Sequence, residues 1–285
     1  MTVENSFKRI YIYHSRHSQK RNCMSRIMSI LNSNSLDSSI TGFQTFSLSQ
    51  LNLTHDLEFQ LPTNVRLGHL AEKVVSECIK SSANFNVLYE NIQILEDKKT
   101  IGEIDFIIEN QITKQRVHLE LAYKFYLFDP NISSEHIRNW IGPNRNDSLK
   151  NKLEKLKEKQ FPLLFNASAK SAFKTLEINE VSQALCLLAS LFIPYESKHS
   201  FSPSYKKAIQ GYYLDFETFI ILDDQSKTYC IPSKKEWGMN PSENTNWTDF
   251  AGVEKQIRKS IREKQSLLYW QKNNDLYLEC FSVWW

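Results

Sequence analysis

Glycine is scarce in this chain, with seven in 285 residues. It contains no Walker-type loop, no dinucleotide-binding glycine pattern and no Gly-x-Ser-x-Gly elbow, so nucleotide-driven enzymes and serine hydrolases recede. The five cysteines, Cys23, Cys78, Cys186, Cys230 and Cys280, are scattered and form no Cys-x-x-Cys pair. A disulfide framework or a zinc site is therefore not expected, and a reducing compartment suits them. The longest apolar run, "ALCLLASLFIPY" at 184–195, falls short of the roughly 20 residues that span a bilayer. The N-terminus lacks the apolar core of a signal peptide. The expectation is a cytoplasmic protein with no membrane partner.

The hydrophobic content of 41% is enough for a real core, and 24% charged residues with a net charge of +3 fit an ordinary globular chain. A pI near 8.4 permits nucleic-acid binding without demanding it, since strongly basic binders usually exceed about 9.

Periodicity divides the chain. "CMSRIMSILNSN" has helical spacing, within an N-terminal helical extension over 1–58. A core follows over 59–195. It opens with a helix at about 64–80, with Leu67, Leu70, Ala71, Val74 and Cys78 on one face and Glu72 at the edge of that stripe. Strands are expected at 86–95, 100–109 and 116–128, and short polar connections make them an antiparallel meander. A helix carrying Leu149, Leu153 and Leu156 comes next. "VSQALCLLASLFIPY" reads as a buried strand or helix, with strand favoured because Pro194 closes it. Residues 196–285 form a C-terminal extension read as a further sheet with a covering basic helix at about 249–268, packed through Ile257, Ile261 and Leu268.

The unusual feature is acid inside strands. Side chains alternate along a strand. Glu103 and Asp105 therefore share one face of the second strand, and His118, Glu120 and Lys124 one face of the third. Converging carboxylates repel and raise one another's pKa unless a cation is present. Oxygen ligands from one or two carboxylates, completed by water and substrate phosphate, suit Mg²⁺. The ordinary alternative is a solvated sheet face with Glu120 and Lys124 as cross-strand partners. Asn144 and Arg145, before the helix near Asp147, are candidates for holding a phosphate. Lys152 is a further candidate if its helix packs beside the acids.

These residues resemble the PD-(D/E)XK nuclease superfamily: a helix acid, an Asp in "GEIDF", then a Glu and a Lys on the next strand. The stretches "LGHLAE", "GEIDF", "HLELAYKFYL" and "WIGPNRNDSLKNKLEKL" resemble more closely a bacterial family of unknown function placed in that superfamily. The likeness covers most of residues 60–245. It implies an α/β (α+β) fold, with a restriction-endonuclease-like α-β-β-β-α-β core and a mixed sheet flanked by helices. It implies Mg²⁺ or Mn²⁺ at Asp105 and Glu120, with the Leu121 carbonyl and Glu72 contributing. It also implies phosphodiester hydrolysis of nucleic acid, DNA ahead of RNA, and a possible homodimer. Lys124 would be catalytic, and Glu103, His118, Asn144, Arg145 and Lys152 would lie near substrate. The chain departs from the Glu-x-Lys pattern: Ala122 holds the lysine position and Lys124 follows two residues later, about 13 Å along the strand from Glu120. A catalytically inactive nuclease-fold module that binds nucleic acid or protein is the alternative.

Overall fold

A computed structural model of the chain describes residues 18–53, 57, 59–173 and 175–285. The first seventeen residues of the expected N-terminal extension lie outside them.

The elements run α1 (Ser18–Leu31), α2 (Leu67–Lys80), β1 (Phe85–Glu96), β2 (Lys99–Asn110), β3 (Arg116–Phe128), β4 (Trp140–Ile141), α3 (Leu149–Lys155), β5 (Val181–Pro194), β6 (Ile209–Asp215), α4 (Phe216–Leu222), β7 (Thr228–Cys230), α5 (Phe250–Arg262), β8 (Leu267–Asn273) and β9 (Leu276–Val283). Shorter helical turns are named by residue. The three expected strands form the meander β1-β2-β3, and "VSQALCLLASLFIP" is a strand parallel to β3.

One mixed sheet holds the strands in the order β1-β2-β3-β5-β6-β9-β8-β7, with β4 paired to β3 off that path. The C-terminal strands are thus not a further sheet: β6 pairs with β5 in parallel and continues the same one. The reason is the free edge of β5. Unpaired strand N–H and C=O groups must find partners. At 191–194 that edge takes β6. Before that point it takes the N-terminal segment, through Phe46 N–H to Leu185 O (2.9 Å), Leu185 N–H to Gln44 O (2.8 Å), Leu36 N–H to Leu187 O (2.9 Å) and Ala189 N–H to Asn34 O (3.0 Å).

β5 is apolar on both faces because both are covered. Its Ala184, Cys186, Leu188 and Phe192 join the core beneath α1 and α2, together with Leu119, Leu121, Tyr123 and Phe125 of β3. Its Leu185, Leu187, Ala189 and Leu191 face the opposite core, with Ala122, Tyr126, Phe128 and the leucines of α3. In α5, Val253 and Ile257 are buried as the apolar stripe requires. Leu268, expected on that helix, instead belongs to β8, because the helix ends at Arg262. Among the described residues no helix is long and apolar enough to cross a membrane.

Candidate functional site: a carboxylate pair at a strand fork

β2 and β3 pair through only four residues, from Glu109↔Arg116 to Phe106↔Leu119. Continuing that register would set Asp105 against Glu120, and there the ladder opens. The Leu121 N–H is satisfied by a side chain: it donates to Asp105 Oδ2 at 2.9 Å. Asp105 Oδ1 has no hydrogen-bond partner among the described residues. Along its other edge β3 pairs with β5 on both sides of the fork, from Arg116↔Val181 to Leu127↔Phe192.

Glu120 lies on the α3 side of β3 with its side chain fully buried. His118 Nε2 stands 2.9 Å from its Oε1, and Gln160 Nε2 donates to its Oε2 at 2.7 Å. Gln183, beside His118 in the parallel ladder, donates Nε2–H to the Phe161 carbonyl at 2.7 Å and lies 3.4 Å from His118 Nδ1. With Nδ1 facing a donor, the hydrogen toward Glu120 sits on Nε2. Phe161 closes over the imidazole edge-on, with ring centroids 5.4 Å apart. A carboxylate deprived of water must have such partners, and here both oxygens have one.

Gln160 is delivered by an unusual helix. Ser148 caps α3, its hydroxyl accepting the Asn151 N–H at 3.1 Å. After Lys155 the helix widens into a π turn, Leu156–Gln160, then resumes at Phe161–Leu163 with Pro162 inside. From this helix Lys152 Nζ donates to Gln160 Oε1 at 3.0 Å. The charges of Glu120 and Asp105 support the Lys152 ammonium, but burial outweighs them and lowers its pKa; nearby Lys124 and Lys155 add to the lowering.

Burial and the negative charge of Glu120 push the Asp105 carboxyl up to about 8, and Glu72 adds to the push; the Leu121 N–H and Lys152 act against it. Glu72 reaches this cluster from α2 by charge, while its own carboxylate meets His69 Nδ1 at 2.9 Å.

The structure thus brings together Asp105, Glu120, His118, the Leu121 backbone, Lys152 and, by its field, Glu72. It holds the other candidates elsewhere. Lys124 Nζ donates to Asp147 Oδ2 at 2.8 Å. Asp147 packs against Gly142, where a Cβ would come within 1.9 Å of its Oδ1, so a larger residue there would displace the Asp147 side chain. Asn144 Oδ1 accepts the Ser266 N–H at 2.8 Å. Arg145 pairs with Asp129 at 2.9 Å and lies 4.6 Å over the Trp285 ring, whose N–H reaches the Pro143 carbonyl at 3.1 Å. The loop at 142–147 is therefore fastened to Ser266 and Trp285 at the margins of β8 and β9, and Asn144, Arg145 and Asp147 are each engaged by protein partners. Glu103 stands in the β1–β2 ladder opposite Gln93.

The family model for DUF1853, a domain of unknown function, matches residues 14–274. The chain belongs to that family. No curated protein and no solved structure matches it. Within this DUF1853 chain, sequence reasoning missed Gln160 and Gln183. Neither carries a charge or a motif, and Gln160 is 40 residues from the glutamate it holds. The one local sign is Pro162, which has no N–H and interrupts regular helical bonding.

Among the described residues no three His, Cys, Asp or Glu side chains form a protein-only metal cage. Mg²⁺ does not need one, since it keeps several waters and often takes only one or two carboxylates. Asp105 fits such an ion: its Oδ1 is open, and a second acid opposite it makes a cation favourable. Glu120 fits through the lone pairs its two hydrogen bonds leave free.

Proposed function

We propose that the protein is a metal-dependent phosphodiesterase acting on nucleic acid, DNA ahead of RNA, on a restriction-endonuclease-like core. One observation carries the reading: Asp105, with an open oxygen, faces the buried Glu120 where β2 and β3 part. The order of helix, three antiparallel strands, helix and parallel strand supports it, being the arrangement that the resemblance to PD-(D/E)XK nucleases implies.

Asp105 Oδ1 and Glu120 would hold Mg²⁺ or Mn²⁺, with the Leu121 carbonyl as a further oxygen and Glu72 orienting a water. When bound, the ion supplies Lewis-acid activation of the phosphate and its attacking water. The chain's own part is positioning. His118 and Gln160 fix the Glu120 carboxylate, and the Leu121 N–H fixes Asp105. Lys155, Lys157 and Lys159, exposed on α3 and its π turn, provide cations for the phosphate backbone. A homodimer would present two such sites to the two strands of a duplex, which sedimentation with and without DNA tests.

The test is hydrolysis of plasmid DNA and of single-stranded DNA and RNA with Mg²⁺ or Mn²⁺. The wild type cuts at least one of them; Asp105→Asn is slower by about 100-fold or more yet binds the polymer at least as well, because a negative charge is gone. Equal cutting by Asp105→Asn sinks the assignment. A second reading, a catalytically silent module on the same fold, is favoured by the two protein hydrogen bonds on Glu120 and by the Lys124–Asp147 pair. It predicts polymer binding with no cleavage in either metal.

A further inference from the structure

We infer that the lysine of this site is Lys152, carried on α3 and seated by Gln160, and that Lys124 on β3 stands outside the reacting centre. The inference rests on the phosphodiesterase reading above.

Lys124 is already committed. Its ammonium is paired with Asp147, whose side chain lies close against Gly142. The Gly142 N–H also donates to the Asp147 carbonyl at 2.8 Å. Moving Lys124 toward Glu120 would break its pair with Asp147, whereas Lys152 already reaches Glu120 through Gln160.

Lys152 is tied to the acids instead. A lysine ammonium only donates, so the Gln160 atom facing it is the amide oxygen. The amide NH₂ then faces Glu120, as its 2.7 Å contact requires. Gln160 thus reads one cation and one carboxylate at once, and reversing it would set like groups together at both ends. The helix is built for this. In a regular α-helix the eighth residue along lies about 80° round from the first. A π turn takes more residues per turn, and the one at Leu156–Gln160 brings Gln160 back into line with Lys152 on the face toward β3.

Hydrolysis adds a water oxygen to phosphorus and breaks the P–O bond to the leaving nucleoside. The water's proton ends, through solvent, on the leaving oxygen. Negative charge grows on the non-bridging oxygens in between. The Lys152 ammonium donates a hydrogen bond to one of them and keeps its own proton. Gln160 touches no substrate. It is a positioning residue that holds the ammonium and Glu120 on one line, while His118 occupies the other Glu120 oxygen.

The experiment titrates Mn²⁺ into the full chain and follows DNA cleavage, for wild type, Lys152→Met, Lys124→Met and Gln160→Met, with thermal melting as a folding check. Lys152→Met removes a positive charge beside the acids, so Mn²⁺ binds about threefold tighter or more, while cleavage falls by about 100-fold. Lys124→Met changes neither by more than about twofold. Gln160→Met slows cleavage without abolishing it. Alkylating Lys152→Cys with 2-bromoethylamine, which restores an amine at nearly the native length, restores cleavage. If Lys124→Met is inactive and Lys152→Met still cuts, the lysine assignment is overturned and the phosphodiesterase reading stands. If the wild type neither binds Mn²⁺ nor cuts, that reading is overturned, and the role of Lys152 with it.

Discussion

Glu120 on β3 and Glu279 on β9 are both buried acids in one sheet, on opposite faces, and their surroundings differ in kind. Glu279 is 7% exposed. It accepts the Trp270 indole N–H at 3.1 Å, and the Arg26 guanidinium contributes an opposite charge. Burial alone pushes it up to about 7, with every neighbour acting in the other direction. Glu120 faces a second carboxylate instead, and that carboxylate has an open oxygen. Burial of one acid is therefore a packing event that its own donors offset. Convergence of two acids at a fork is an arrangement that packing does not call for and a cation resolves.

The comparison breaks most sharply at Asp105. Under the proposed function, Asp105→Asn is expected to cost about 100-fold or more in cleavage and Glu279→Gln to leave it unchanged, as plasmid nicking would measure. A smaller effect is on stability against pH. Burial pushes the Glu279 carboxyl in the folded state up from its ordinary 4.5 to about 7. Its stability contribution is therefore full below about pH 4.5 and is lost as pH rises to about 7. At 1.36 kcal/mol per unit this is about 3 kcal/mol. Thermal melts of Glu279→Gln and wild type should converge near pH 4.5 and separate in favour of the variant by pH 8. A melting difference that does not vary with pH contradicts this.

Gln160→Leu strips one donor from Glu120 Oε2 and should cost about 1–3 kcal/mol by urea unfolding; at Glu279 the matching change, Trp270→Phe, leaves the Gly238 N–H and Arg26 to support the carboxylate and sits at the lower end of that range. Smallest is Lys124→Ala. Its pair with Asp147 is 35% and 45% exposed, so after allowing for solvent screening it is worth about 0–1 kcal/mol. A loss of several kcal/mol there would mean that the 142–147 loop depends on this ion pair.

Much of the fold was legible because its signals are local. The strand at 116–128 follows from alternation and a polar turn before it, and β5 from an apolar run closed by Pro194. Asp105 and Glu120 stood out because acids in strands are costly. The rest depends on contacts far apart in sequence. Nothing in "GEIDF" marks where the β2–β3 ladder ends, since a fork is a property of two strands. The edge of β5 is completed by backbone bonds from residues 34–46 and by β6, so the C-terminal strands continue one sheet and the N-terminal segment lies along the part of that edge β6 leaves free. Lys124 keeps the correct face, as alternation says, but alternation does not reveal Asp147. The π turn that aligns Lys152 with Gln160 has no periodicity of its own in five residues.

The most direct measurement is isothermal titration of Mn²⁺ into metal-free protein, with and without a DNA duplex, comparing wild type with Asp105→Asn. A saturable site in the wild type that is absent from the variant, with or without DNA, is the expected result. Identical heats for the two proteins under both conditions would contradict the claim that Asp105 and Glu120 form a metal-dependent centre.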